Sequence, residues 1–180
     1  PYRNKKAYDL LIQSESGFVS VTGSANEPAK AGCSIADIAA GMYAYTHILS
    51  ALLQRGKTGK GSHIDLTMLE SMVEWMGFPL YYTYDGAPPP VRAGAAHAAI
   101  YPYGPFLAGN GKTIMLGLQN EREWKMFCEQ VLEKPELATD PRFASNTMRT
   151  TNRDALRDLI IQSFAAYDDE QIIERLEKAG

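Results

Sequence analysis

Apolar residues recur three and four positions apart over residues 34–55, where Ile38, Met42, Tyr45, Ile48, Leu49, Leu52 and Leu53 fall on one helical stripe. Ser34 stands where an N-cap is expected, and Asp37 follows three residues later at the capping-box position. Helical spacing also predicts a helix over residues 7–16 and a second long apolar helix over residues 67–84, strained near Gly77 and Pro79. Amphipathic helices are expected over residues 121–132, carrying Trp124, Phe127 and Val131, over 154–164, and from Asp168 or Asp169 through Leu176. Apolar and polar residues alternate instead at 62–66, a short strand with His63 and Asp65 on one face. Residues 103–107 and 112–118 read as two strands around Asn110-Gly111, a strong hairpin signal.

Between these segments, residues 17–32 are a loop or weak strand punctuated by Gly23, Pro28 and Gly32, and 57–61 are a turn. Asp85-Gly86-Ala87-Pro88-Pro89-Pro90 resists both helix and sheet, which makes it the linker. The chain therefore divides into residues 1–84, a linker and small-residue loop over 85–100, and a second domain over 101–180. There is no internal repeat.

Composition narrows the class. Apolar residues at 45% and charged residues at 22% describe a globular chain, and a net charge of -3 gives no basic face for nucleic acid. Cys33 and Cys128 lie far apart without metal-type spacing, which suits a reducing cytoplasm. No apolar run approaches the ~20 residues of a membrane span. The opening Pro1-Tyr2-Arg3-Asn4-Lys5-Lys6 has no apolar core behind it, so no signal peptide is expected, and both ends read as cuts in a longer chain.

The chemistry centres on Asp37. A carboxylate in the first helical turn can be a cap, worth about 1 kcal/mol or less, or a reactive group. Ala40 and Gly41 share its face and leave space beside it. Gly41 costs a helix about 1 kcal/mol relative to alanine, so a neighbouring helix or a ligand should need that room. Tyr8 and Asp9 sit on the first helix, and Lys5 and Lys6 can meet an anionic ligand or stay solvated. In Arg92-Ala93-Gly94-Ala95-Ala96-His97-Ala98, five of seven side chains are tiny. Such a loop can bring backbone N–H groups to a developing oxyanion, or it can be a tether. Lys57-Thr58-Gly59-Lys60-Gly61 lacks P-loop spacing, and His63, Asp65 and Glu70 do not make a metal set.

Taken in order, Lys6-Ala7-Tyr8-Asp9, Gly17, Thr22-Gly23, Gly32-Cys33-Ser34-Ile35-Ala36-Asp37, Gly41, Ala51-Leu52-Leu53 and Thr58-Gly59-Lys60-Gly61 form a familiar series. It continues through Ile64-Asp65-Leu66-Thr67-Met68-Leu69-Glu70, Pro102-Tyr103-Gly104-Pro105-Phe106, Asp140-Pro141-Arg142-Phe143, Asn146 and Arg149. By their order and spacing the chain resembles the class III coenzyme A transferases, the CaiB/BaiF family, which also contains α-methylacyl-CoA racemases. The resemblance implies an α/β fold: a Rossmann-like large domain, helix-rich in this stretch, a linker, a small α/β domain, and an interlocked homodimer. It implies that Asp37 is a nucleophile carrying CoA as an aspartyl thioester, and that Lys5, Lys6, Ala7 and Tyr8 contact CoA. It places Asp9, Gly94, Ala95, Ala96 and His97 at the substrate or in the active-site loop, where formyl-CoA transferases have more glycine. No metal and no tightly bound cofactor are implied, since the coenzyme A thioester is a substrate.

The wording around residues 92–97 and 101–106 is most similar to transferases that pair succinyl-CoA with mesaconate, itaconate or citramalate. A racemase is the rival enzyme, but its His-Asp pair falls on Tyr8-Asp9. A phenol with an ordinary pKa near 10 is a poor base at neutral pH. A non-catalytic module serving only oligomerisation is the rival outside enzymes. Because the resemblance covers the middle of the family's length, apolar faces should be left uncovered and the stretch alone should be inactive.

Overall fold

A computed structural model describes Tyr2 and residues 4–180; Pro1 and Arg3, part of the charged opening, lie outside the described residues. The chain forms two compact units, one ending at Gly94 and one running Ala95–Gly180.

In the first unit, α1 (Asp9–Glu15), the long α2 (Ile35–Thr58) and α3 (Met68–Trp75) pack together, and α4 (Gly77–Tyr82) follows α3 directly. The predicted long helix over 67–84 is thus two helices, broken at Met76 just before Gly77 and Pro79. Thr67 starts α3, its hydroxyl accepting from the Glu70 N–H at 3.1 Å. α2 runs past the expected end at Arg55 to Thr58, because Gly59 adopts φ 70° and donates its N–H back to Arg55 O at 2.8 Å. Residues 62–66 alternate as a strand would, yet no strand forms there, since no described neighbour offers a ladder.

The core of this unit is small: Ile12, Ala36, Ala39 and Met72 are buried, with Phe18, Ile35, Met68 and Leu69 packed around them. α2 buries its alanine face. The aliphatic stripe that predicts the helix stays in the open among the described residues, from Leu49 at 43% to Leu53 at 72% exposed.

The second unit has a larger core, built on a hairpin of β1 (Tyr103–Leu107) and β2 (Thr113–Gly117). The strands are antiparallel, Tyr103 opposite Gly117 and Leu107 opposite Thr113, with Asn110-Gly111 at the turn as expected. Phe106, Ile114 and Leu116 point into a core of Trp124, Phe127, Phe143, Leu156, Ile160, Phe164 and Ile172. Phe143 comes from the turn at 141–143, and the others from α5 (Glu121–Met126), which continues as a wider turn over Phe127–Val131, and from α7 (Arg153–Phe164) and α8 (Asp169–Ala179). Asp168 and Gln171 close a full capping box on α8. A short helix, α6 (Asn146–Thr151), lies where none is expected. Among the described residues the architecture is helix-rich with one two-stranded sheet, and no described helix is long and apolar enough to cross a membrane.

Candidate functional site

The first turn of α2 is capped from outside its own sequence. Ser34 makes no side-chain cap, and Asp37 does not complete a capping box. Instead Asp9 Oδ1 accepts from the Ala36 N–H at 3.0 Å, across 27 residues. Asp9 Oδ2 accepts from Gln13 Nε2 at 2.8 Å and from Lys30 Nζ at 3.4 Å. Gln13 is fully buried, and its Oε1 accepts from the Ala31 N–H at 2.8 Å. Burial pushes the Asp9 carboxyl up, but the hydrogen bonds from Gln13, Ala36 and Lys30 outweigh it and hold the group below the usual carboxylate range.

This arrangement decides what Asp37 is not. With the cap supplied by Asp9, Asp37 is exposed and makes no side-chain hydrogen bond or ion pair among the described residues. The space beside it is open: a Cβ added at Gly41 would meet nothing within 4 Å, and no described helix fills the gap. The Asp9–Ala36 bond also joins two sequence-predicted segments, since Tyr8 and Asp37 are the residues flanking it. Tyr8 is 68% exposed at the start of α1.

Lys5, Lys6 and Ala7 line a cavity of about 740 Å³ together with Leu11, Leu66 and Met68. Lys5 is partly engaged, pairing with Glu15 at 3.2 Å, whereas Lys6 makes no ion pair among the described residues. Neither Tyr8 nor Asp37 lines this cavity. Asp65 and Glu70 line an adjoining groove of about 350 Å³, with Glu70 on the wall of both and His63 on neither. Among the described residues no three His, Cys, Asp or Glu side chains gather as a metal set.

The small-residue loop is more tied down than a tether. In the first unit, Gly94 donates its N–H to Gly23 O at 2.8 Å, and Arg92 donates to Ser24 O and Ala25 O, each at 2.9 Å. In the second unit, His97 donates its backbone N–H to Tyr103 O, and its Nδ1 accepts from both the Ala99 and Ile100 N–H groups at 3.0 Å. Through these bonds the ring anchors the turn at 97–100. Gly104, at φ 145°, brings the backbone under Ala96; a Cβ there would sit 2.8 Å from Ala96 Cα. Ala95 is exposed, and neither the Ala95 nor the Ala96 N–H donates within the chain's backbone network. His97→Ala should destabilise the second unit by about 1–2 kcal/mol by orphaning two N–H groups. His97→Asn, which keeps an acceptor, should recover most of that in thermal unfolding. Full stability together with lost activity in His97→Asn would instead give the ring a chemical role.

Sequence reasoning missed Gln13, whose amide is the hinge of the α1–α2 network; a glutamine one turn after an aspartate carries no signal without the partner helix. Cys33 is exposed, four residues before Asp37, and in the second unit burial pushes the Cys128 thiol up to about 12.

A carboxylate stands free at the mouth of α2, and Lys5 and Lys6 line a cavity beside α1. The sequence pattern of CoA-transferase family III matches residues 1–180, and the chain belongs to that family. It is 32% identical over 182 residues to the acetyl-CoA:oxalate CoA-transferase of Acetobacter aceti, a match that covers 100% of this chain and 46% of that protein. It is 32% identical over 165 residues to the succinyl-CoA:glutarate CoA-transferase of Homo sapiens, covering 91% of this chain and 37% of that protein. Among solved structures, a CaiB/BaiF family protein from Brucella suis superposes with a TM-score of 0.77 at 34% identity, covering 100% of this chain and 47% of that one. The chain thus spans under half the length of these relatives.

Proposed function

We propose that this chain is the nucleophile-bearing part of a CoA-transferase that moves coenzyme A between an acyl-CoA and a small dicarboxylate, with Asp37 as the covalent carrier. One observation carries the reading. The helix cap is Asp9, so the Asp37 carboxylate is exposed, unpaired among the described residues, and next to open space at Gly41.

A carboxylate oxygen of Asp37 attacks the thioester carbonyl of the donor. The C–S bond breaks, giving a mixed anhydride and CoA thiolate. The thiolate then attacks the Asp37 carbonyl carbon and expels the donor acid as a carboxylate, leaving an aspartyl-CoA thioester. An acceptor carboxylate attacks that carbonyl, and thiolate leaves once more. Attack of the thiolate on the acceptor's carbonyl then releases Asp37 and the new acyl-CoA. Every step exchanges one acyl substituent for another, so no net proton or electron is consumed. Division into such steps lowers the barrier of a direct exchange, and positioning must compensate for the weak nucleophilicity of a carboxylate. Lys5, Lys6, Ala7 and Tyr8 are the residues proposed to hold CoA, the first three on the 740 Å³ cavity.

Oxalate and glutarate in the names of the relatives support a dicarboxylate acceptor, and the loop wording favours the branched acids mesaconate, itaconate and citramalate with succinyl-CoA. The test is chemical trapping. The full-length protein is incubated with succinyl-CoA, treated with hydroxylamine and digested. A hydroxamate on Asp37 by peptide mass spectrometry is expected; reaction confined to other residues, or none, rejects the reading. The same protein is then screened against the five acids.

A further inference from the structure

We propose that Asp9 and Gln13 are positioning residues for the transfer reaction: together they lock the first turn of α2 and so aim Asp37. This inference rests on Asp37 being the nucleophile. The network converges on the Asp9 carboxylate. The Ala31 N–H donates to Gln13 Oε1, Gln13 Nε2 donates to Asp9 Oδ2, and the Ala36 N–H donates to Asp9 Oδ1. Lys30 adds a third donor to the same carboxylate at 3.4 Å. Each donor is matched only if residue 9 is a pure acceptor and residue 13 is both donor and acceptor.

The consequence for Asp37 is geometric. Ala36, the residue before it, is fully buried, and its N–H is fixed by Asp9; Ala31, before the helix begins, is fixed by Gln13. The backbone entering α2 is therefore clamped on both sides of Cys33 and Ser34, and Ser34 contributes no cap of its own. Gln13 lies on α1 one turn beyond Asp9, fully buried and away from solvent. Its amide has no route to a substrate, so any effect on turnover passes through the backbone that carries Asp37.

The experiment is steady-state kinetics on the full-length protein, with Gln13→Met, Asp9→Asn and Asp37→Ala made in parallel. Gln13→Met removes both amide hydrogen bonds while keeping length. Asp9→Asn keeps size but sets one NH₂ against the Gln13 NH₂. Each of the two should lower kcat about tenfold or more, the scale on which small misplacements of a reacting group act, with KM for the acyl-CoA changed less than twofold. The yield of Asp37 hydroxamate in a short pulse should fall in step with kcat. Asp9→Asn serves if Gln13→Met does not fold, and circular dichroism identifies that case. Folded variants with wild-type kcat, or with a raised KM at unchanged kcat, overturn the positioning role. If Asp37→Ala is inactive in that event, the nucleophile stands and this inference alone is lost. If Asp37→Ala turns over normally, both fall.

Discussion

Asp37→Ala in the full-length protein is expected to lower CoA exchange by more than about a thousandfold, because the substitution removes the carboxylate proposed to carry CoA. The same substitution should leave the fold nearly untouched. If Asp37 were the cap of α2, its loss would cost about 1 kcal/mol. Asp9 holds the Ala36 N–H, so the cap survives the change. Asp37 is exposed, and alanine is the better helix former, so the net change in stability should be within about 0.5 kcal/mol. The two readouts therefore separate: turnover collapses while thermal unfolding stays in place. A cap gives the opposite signature, a lowered melting temperature with turnover retained, and that result would end the case for Asp37 as carrier.

The cap is also where the sequence misleads. Ser34 and Asp37 have the right identities and spacing for a capping box, but a box is a local signal and the cap here comes from Asp9, 27 residues away. Nothing in the spacing of a single segment encodes such a bond. The contrast with α8 is direct: Asp168 and Gln171 satisfy each other across one turn, so the same rule succeeds there. The hairpin at Asn110-Gly111 was legible for the same reason, since turn chemistry and alternation both act between neighbours. Residues 62–66 have the alternation but no partner strand among the described residues, and alternation alone forms no ladder. Asn146–Thr151 was invisible as a helix because its Asn-Thr-Met-Arg-Thr-Thr run has poor helix propensity. Ser145 caps it, and Arg149 within it reaches back into the core. The candidate site followed the same division. Asp37, Tyr8 and Lys6 could be named from resemblance, while Gln13, which ties the segments together, belongs to tertiary structure alone.

Arg149→Met is expected to destabilise the second unit by about 3 kcal/mol, the cost of leaving buried partners of a removed cation unpaired. Arg149 is 3% exposed and donates to Tyr101 O at 3.0 Å, to Phe143 O at 3.1 Å and to both oxygens of Glu121 at 2.7 and 3.0 Å. Its guanidinium also lies 5.0 Å from the centre of the Trp124 ring. Methionine fills much of the volume but satisfies neither carbonyl. Asn146 clamps the same stretch from beside it, accepting from the Tyr101 N–H at 3.1 Å and donating to Ala99 O at 2.9 Å, so the segment after His97 hangs on this pair. For a unit of this size the loss corresponds to a melting temperature lower by about 12–24 °C. Denaturant unfolding followed through Trp124, in a Trp75→Phe background, reads it. Acid gives an independent check. The hydrogen bond from Arg149, against an opposing push from burial, holds the Glu121 carboxyl below its ordinary 4.5. A carboxyl depressed in the folded state adds stability above its unfolded value and loses it as pH falls through the folded one. The wild-type unit should therefore weaken as pH drops below about 4.5, and Arg149→Met should flatten that limb, because its Glu121 loses the largest cause of the depression. A variant within 1 kcal/mol of wild type with an unchanged acid limb would mean that α6 is held by its apolar contacts, with the buried cation a passenger.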